Sequence, residues 1–316
     1  MRIRGVCILG GTGFVGHAIA AALFARGIPR VRIVTRNEPR AATLRVLPNV
    51  EVVVGEASAL ADLHRAFDNM DAVVNLVGVL HARDEAAFDE IHAGLPLKVT
   101  QACHGAGVRH LLHMSALGAA PDAPSQYLRT KAHGERAVRE HANDTAWTIF
   151  RPSVIFGEHD RFLNLFSALQ RAPLFVPLAS ATARFQPIWV DDVARCFATA
   201  LGNPACFGRA YDLAGPKAYS LRELVRFAGE AAGHPRPIVA LPPSLAALQA
   251  FVMEHLPGKL LTRDNLRSMS IPNTSHAAFD PVFGFQPSSL EAVVPRYLAR
   301  DGARARFDRH RNPVGR

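Results

Sequence analysis

The stretch Gly5–Gly16, GVCILGGTGFVG, decides how this chain is read. Gly5-Val6-Cys7-Ile8-Leu9 is a short apolar run suited to a buried strand, and FVGHAIAAALFARG, from Phe14 onward, reads as a helix. Between them lie Gly10, Gly11, Thr12, Gly13, Phe14, Val15 and Gly16, spaced GxxGxxG rather than GxGxxG. Gly10 permits a tight turn, Gly13 lets the backbone approach a pyrophosphate with no Cβ in the way, and Gly16 allows close packing of helix on sheet. A helix that begins at such a turn offers unpaired N–H groups and the positive end of its dipole to an anion. The expectation is a dinucleotide site.

Outward from this turn, short β-branched runs alternate with longer amphipathic stretches. The runs are Arg4–Leu9, Val31–Thr35, Val50–Val54, Ala72–Leu76, His110–Met114 and Ala146–Phe150. Near-continuous apolar strands such as VVNLV belong to a parallel sheet covered on both faces, built by right-handed crossovers. The fold class expected is α/β, a Rossmann-type doubly wound parallel sheet with a smaller, interleaved C-terminal lobe. After Arg151 prolines multiply and the helical segments are broken by loops. The organisation expected is therefore a dinucleotide-binding domain over 1–150, a lobe over 151–300 that completes the sheet and a substrate or partner cleft, and a basic tail over 301–316.

Composition bounds the alternatives. The 316 residues are 49% hydrophobic and 20% charged, with a mean hydropathy of +0.07, which excludes a disordered or collagen-like chain. Lys and Arg outnumber Asp and Glu by 36 to 27, and +4 of the +9 lies between Arg300 and Arg316. That tail reads as a solvated arm or as a contact for anionic lipid, a protein partner or RNA; no specific nucleic acid is expected. Cys7, Cys103, Cys196 and Cys206 show no CxxC spacing, which suits a reducing compartment, and the N-terminus has no secretory pattern. A cytoplasmic protein is expected, with the inner face of a membrane as a peripheral alternative. The most apolar segment, SLAALQAFVMEHL at 244–256, is too short to span a bilayer; it is either a buried helix of the lobe or a surface helix docked on a membrane or partner.

The second run selects the nucleotide. Where an NAD site places Asp or Glu, the strand VRIVT is followed by Arg36, with Arg40 one turn on. A guanidinium there matches a 2′-phosphate, so NADP(H) is preferred, with NAD(H) the alternative. Glu56 follows the third strand and suits either the adenine edge or a helix N-terminus, while Leu76, Val77 and Gly78 end the fourth, with Gly78 allowing close approach beside the phosphates and ribose. Tyr127 and Lys131, four apart at the start of a helix running to about His141, share one face. The ammonium is expected to lower the phenol pKa and to bind a ribose.

Across residues 1–300 the chain resembles the extended and atypical short-chain dehydrogenase/reductase superfamily. Within it, HMSALGAAPDAPSQYLRTKAHGE, FRPSVIFGEHDRFLNLF and FQPIWVDDVA are similar to the nucleotide-binding alpha-subcomplex subunit nine family of respiratory complex I and its bacterial relatives. The resemblance implies that Tyr127 and Lys131 occupy the reductase pair, that Gly10, Gly13 and Gly16 form the phosphate loop, and that Arg151-Pro152-Ser153 is the stretch lining the nicotinamide; Met114 is a further cofactor-binding candidate. It also implies a protein partner in respiratory or quinone metabolism. Active members carry a Ser or Thr just past the fifth strand to polarise the substrate oxygen. Here Met114-Ser115-Ala116-Leu117-Gly118 puts Leu117 at that position, with Ser115 retained as the catalytic candidate. An apolar side chain cannot donate to a developing alkoxide. Two functions follow: a chain that holds NADP(H) as an accessory, assembly or redox-sensing component, or an active oxidoreductase or sugar-nucleotide epimerase/dehydratase using Tyr127 and Lys131. No HExxH or GxSxG motif occurs, and no metal is expected.

Overall fold

The computed structural model describes residues 1–80, 84–171, 174–256 and 260–299; the basic tail at 301–316 lies outside them. The chain divides into two compact units. The first comprises Met1–Pro152, Val190–Leu213 and Ala277–Phe285, the second Ser153–Trp189, Ala214–His276 and Gln286–Arg316.

Seven parallel strands form the sheet of the first unit: β1 Gly5–Leu9, β2 Arg30–Thr35, β3 Val50–Val54, β4 Ala72–Asn75, β5 His110–Met114, β6 Ala146–Pro152 and β7 Arg209–Leu213. Their order is 3-2-1-4-5-6-7, so the direction of winding reverses between β1 and β4. Every residue of β1 and of β4 is buried, as expected of strands sandwiched between helices. Helices α1 Phe14–Ala25, α2 Leu60–Phe67, α3 Leu95–Gly105, α4 Gln126–His141 and α5 Val190–Ala200 flank the sheet, and α1 packs against α5. On the face under α2, α3 and α4, Cys7, Leu9, Val73, Leu111 and Ile149 meet Leu63, Phe67, Val99, Cys103 and Val138 in one apolar cluster. At about 25 cal/mol per Å² of apolar surface removed from water, this layer stabilises the unit. All four cysteines are buried thiols, and burial pushes Cys7 up to about 12.

Strand β7 was the element hardest to see in sequence. RAYDL has no apolar run; it enters the sheet because its backbone pairs with β6 from Arg209 opposite Thr148 to Leu213 opposite Pro152. The turn Glu90–Gly94 is π-helical, and it brings the carbonyl of His92 so close to α4 that a Cβ at Gly134 would lie 2.1 Å from that oxygen.

The second unit has its own core of Phe156, Leu163, Val176, Leu224, Val225, Leu290 and Val294. The FGEHDRFLN stretch serves it structurally. The Asp160 carboxylate accepts from the amides of Gly157, Phe162, Leu163 and Asn164 at 3.0, 2.7, 2.6 and 3.2 Å and so holds the start of helix Leu163–Leu169. A cavity of about 300 Å³ is lined by Ser180, Thr182, Arg184, Met269 and Ile271, among others. The apolar 244–256 stretch forms the helix Pro243–Glu254, and the buried-helix reading of it does not hold: only Ala246 and Ala250 are buried. No helix among the described residues is long and apolar enough to cross a membrane.

Candidate functional site

The glycine turn lies at the carboxyl end of β1. Gly10 has φ +78°, a left-handed conformation that a side chain would strain, and its amide plane abuts Leu76 and Val77, 3.2–3.3 Å from where a Cβ would stand. A Cβ on Gly16 would fall 2.4 Å from the Gly11 carbonyl, so the turn closes only on glycine. Gly13 caps α1 without a side-chain hydrogen bond, and no acidic residue stands in the first turn. The free N–H groups of that turn therefore fit an anionic group and leave it space. His17, one position past Gly16, was not anticipated: its Nδ1 lies 2.9 Å from the Gly13 carbonyl and its Nε2 2.9 Å from Thr43 Oγ1, tying the turn to the segment Glu38–Val46 after β2.

Arg36 and Arg40 are exposed beyond β2, and neither makes an ion pair among the described residues. Glu56 is exposed after β3. The helix-terminal duty considered for it falls to Asp62, whose carboxylate accepts the Glu56 amide at 2.8 Å and is thereby held below the usual carboxylate range. Leu76 is buried, Val77 donates its amide to Asn75 Oδ1 at 3.1 Å, and Gly78 is exposed.

Tyr127 and Lys131 do share a face of α4, which Ser125 caps through the Leu128 amide. Lys131 Nζ donates to the Met114 carbonyl at 2.6 Å. Burial brings the ammonium down to about 8, with the Glu135 carboxylate opposing the shift. The Tyr127 phenol moves opposite to the sequence expectation. Its removal from water pushes it up to about 12, because desolvation of the phenolate outweighs any help from the ammonium. Glu135, one turn beyond Lys131, is clamped by Arg151 of β6 through two bonds of 2.7 and 2.6 Å, which fixes α4 on the sheet.

Sequence reasoning also missed His92. Its Nε2 accepts the Val79 amide at 3.1 Å, and its Nδ1 lies 2.9 Å from Thr130 Oγ1, whose hydroxyl donates to the Tyr127 carbonyl at 3.0 Å. Those partners require the neutral imidazole protonated at Nδ1, and burial with the nearby Lys131 charge holds it at about 3. A Cβ on Gly78 would stand 3.5 Å from His92 Nε2 and 3.6 Å from Lys131 Nζ, so these nitrogens flank one space above Gly78. No sequence spacing links position 92 to 79 or 130; the π-helical turn does.

His113 lies in β5, and Ser115 stands one residue past its end. Asn75 donates to His113 Nδ1 at 3.3 Å, and both His113 Nε2 and Ser115 Oγ are buried with no hydrogen-bond partner among the described residues. Leu117 is buried, its amide donating to the Pro152 carbonyl at 2.9 Å. Ser153 belongs to the second unit, where its hydroxyl donates to Asn273 Oδ1 at 2.6 Å. Among the described residues no group of three or more His, Cys, Asp or Glu side chains is placed to hold a metal.

A parallel sheet of this order with a glycine turn closing on the amino end of α1 defines a Rossmann-type nucleotide-binding protein. The chain belongs to the NAD(P)H-binding family, whose profile matches residues 10–204. It is 31% identical over 225 residues to NADH dehydrogenase [ubiquinone] 1 alpha subcomplex subunit 9, mitochondrial, of Rattus norvegicus, covering 70% of this chain and 59% of that protein. It is 34% identical over 190 residues to the ceramide reductase of Caulobacter vibrioides, covering 60% of this chain and 58% of the reductase. The first three curated relatives are spanned over only 59% to 61% of their length. A UDP-glucuronic acid 4-epimerase from Bacillus cereus shares the fold, with a TM-score of 0.71 at 15% identity over 94% of this chain and 99% of that one.

Proposed function

We propose that this chain holds NADP(H) tightly and serves as an accessory, assembly or redox-sensing component of respiratory or quinone metabolism. The observation that carries the reading is Arg36, an exposed guanidinium that makes no ion pair among the described residues, just past the end of β2, where a carboxylate would select NAD(H). The glycine turn and the uncapped start of α1 would hold the pyrophosphate, Arg36 the 2′-phosphate, and Lys131 beside Gly78 the second ribose. A bound dinucleotide supplies hydride-transfer chemistry. The surrounding residues favour storage over turnover: Leu117 offers no donor where a polarising hydroxyl is needed, and a phenol raised to about 12 is a weak acid at neutral pH. Relatives named as a subunit of NADH dehydrogenase support the accessory role.

The second reading is an active oxidoreductase or epimerase/dehydratase in which Tyr127 is the acid and Lys131 its partner. It is favoured by the shared face of Tyr127 and Lys131 and by the likeness to a protein named ceramide reductase. Denaturing the purified protein and identifying the released nucleotide tests the first reading. Stoichiometric NADPH with no turnover of quinones, aldehydes or sugar nucleotides is the expected result. Turnover abolished by Tyr127→Phe replaces it with the second reading, and a protein that neither carries nor binds NADPH defeats both.

A further inference from the structure

His17 is the side chain that joins the glycine turn to the run of chain after β2. It stands half-buried near the start of α1, with Nδ1 2.9 Å from the Gly13 carbonyl and Nε2 2.9 Å from Thr43 Oγ1. A carbonyl only accepts, so Nδ1 is the donor toward Gly13. The Thr43 hydroxyl can donate or accept, so the second bond holds in either protonation state of the ring. No other side-chain hydrogen bond among the described residues links the segment Glu38–Val46 to the turn.

That segment depends on the tie. Its nine residues form a 3-10 helix, whose hydrogen-bond geometry is poorer than that of an α-helix, so a stretch of this length holds its shape weakly by itself. Positions 36–40 are all exposed, and between 38 and 46 only Ala41 and Leu44 are buried. Glu38 is paired with Arg45. Arg36, two residues ahead of the segment, and Arg40, within it, are left as guanidiniums that make no ion pair among the described residues. The end of β2 is set by packing on the turn, where a Cβ on Gly11 would stand 2.7 Å from the Ile33 side chain, and by the Thr35 hydroxyl, which accepts the Asn37 amide at 3.2 Å. Arg36 is therefore placed by the strand. Arg40 lies beyond these anchors, three residues before Thr43, and its placement falls to His17.

We propose that His17 is a positioning residue for nucleotide specificity: through Thr43 it holds the run carrying Arg40 against the glycine turn, so that Arg40 joins Arg36 on the 2′-phosphate of NADP(H). This rests on the reading of the chain as a holder of NADP(H). Two guanidiniums on that phosphate make charge-assisted bonds for which NADH has no acceptor. Loss of the tie therefore falls on NADPH. General damage to the turn would instead weaken both nucleotides, since both present the same pyrophosphate to it.

Isothermal titration of the full-length protein with NADPH and with NADH is the test. Asn at position 17 keeps an amide near the place of Nδ1 but does not reach Thr43, whereas the Gln amide reaches the place of Nε2. His17→Asn and Thr43→Val are each expected to weaken NADPH about three- to tenfold, the range of one hydrogen bond, and to leave NADH within about twofold of the parent. His17→Gln is expected to keep NADPH within about twofold. Thr43 is exposed, so Thr43→Val carries the test even where a His17 variant folds poorly. In an Arg40→Met background, His17→Asn is expected to cost no further NADPH affinity. Equal losses for the two nucleotides, full NADPH affinity in both His17→Asn and Thr43→Val, or an additive loss in the Arg40→Met background overturns the proposal. A parent that binds NADPH while these variants match it keeps the underlying reading and removes only the role of His17; a parent that binds no NADPH defeats the reading and the proposal together.

Discussion

His92 and Val79 are joined by a hydrogen bond of 3.1 Å in which the Val79 amide donates to Nε2 of a neutral, buried imidazole. Through Thr130 the same ring reaches the first turns of the helix that carries Tyr127 and Lys131, so the loop after β4 and the start of α4 are held at a set separation. His92→Phe keeps the bulk and removes both bonds; it is expected to lower stability by about 1–3 kcal/mol and NADPH affinity about tenfold. His92→Gln, whose amide oxygen reaches the position of Nε2, is expected to bind NADPH within about threefold of the parent. Calorimetric titration decides the matter: full affinity in the Phe variant removes His92 from any positioning role.

Gly134 faces the His92 carbonyl with no space for a methyl group. Gly134→Ala therefore has to push the π-helical turn away from α4, and a loss of about 1–3 kcal/mol in urea unfolding is expected. An unchanged unfolding midpoint would show that the turn is free to shift.

Lys131 titrates near 8 because burial disfavours its charge. In the free protein the ammonium is present below that value, so NADPH affinity is expected to be level up to neutral pH and to fall as pH rises through about 8. Stability runs the other way: between about 8 and the unfolded value of 10.5 the unfolded chain holds the extra proton, and unfolding free energy rises with pH. Lys131→Met should flatten both profiles. An affinity profile in the parent with no break near pH 8 would separate Lys131 from the nucleotide.

Arg36→Asp replaces a guanidinium with a carboxylate at the end of β2. NADPH should weaken by about 10- to 100-fold, the range of a lost charge-assisted hydrogen bond, while NADH changes less. Equal losses for the two nucleotides would falsify the assignment of the 2′-phosphate to Arg36.

Three histidines of the first unit, His92, His110 and His113, are buried and held neutral, His92 at about 3 and His110 at about 4. Unfolding raises each toward its ordinary value of 6.5, so the unfolded chain binds more protons below that pH, and stability should fall steadily from pH 6.5 toward pH 4. Guanidinium unfolding at a series of pH values measures the slope. His110, bonded to Thr148 Oγ1 at 2.9 Å and to the Gly202 amide at 3.1 Å, serves as the internal check: His110→Gln should reduce the slope without altering NADPH affinity.

The strands β1 to β6 were legible because burial on both faces writes a continuous apolar run, and the glycine turn was legible because only glycine satisfies its geometry. The shared helical face of Tyr127 and Lys131 was legible through spacing alone. His92, His17 and the clamp of Glu135 by Arg151 were not, since each joins elements distant in the chain and no periodicity relates their positions. The phenol of Tyr127 was read with the wrong sign, because spacing reveals a neighbouring charge and conceals the burial that outweighs it.

Local stereochemistry and patterning thus determined, from the order of residues alone, a doubly wound parallel sheet, a phosphate-accepting turn after its first strand and an arginine in place of the usual carboxylate after its second. Only the tertiary structure decided that Asp212 and its neighbours close the sheet, that an imidazole ties the loop after β4 to α4, and that the apolar helix near residue 250 shows its leucines to the outside. Those outcomes depend on which surfaces are covered by distant parts of the chain, and desolvation is a property of the assembled molecule, not of any segment of it.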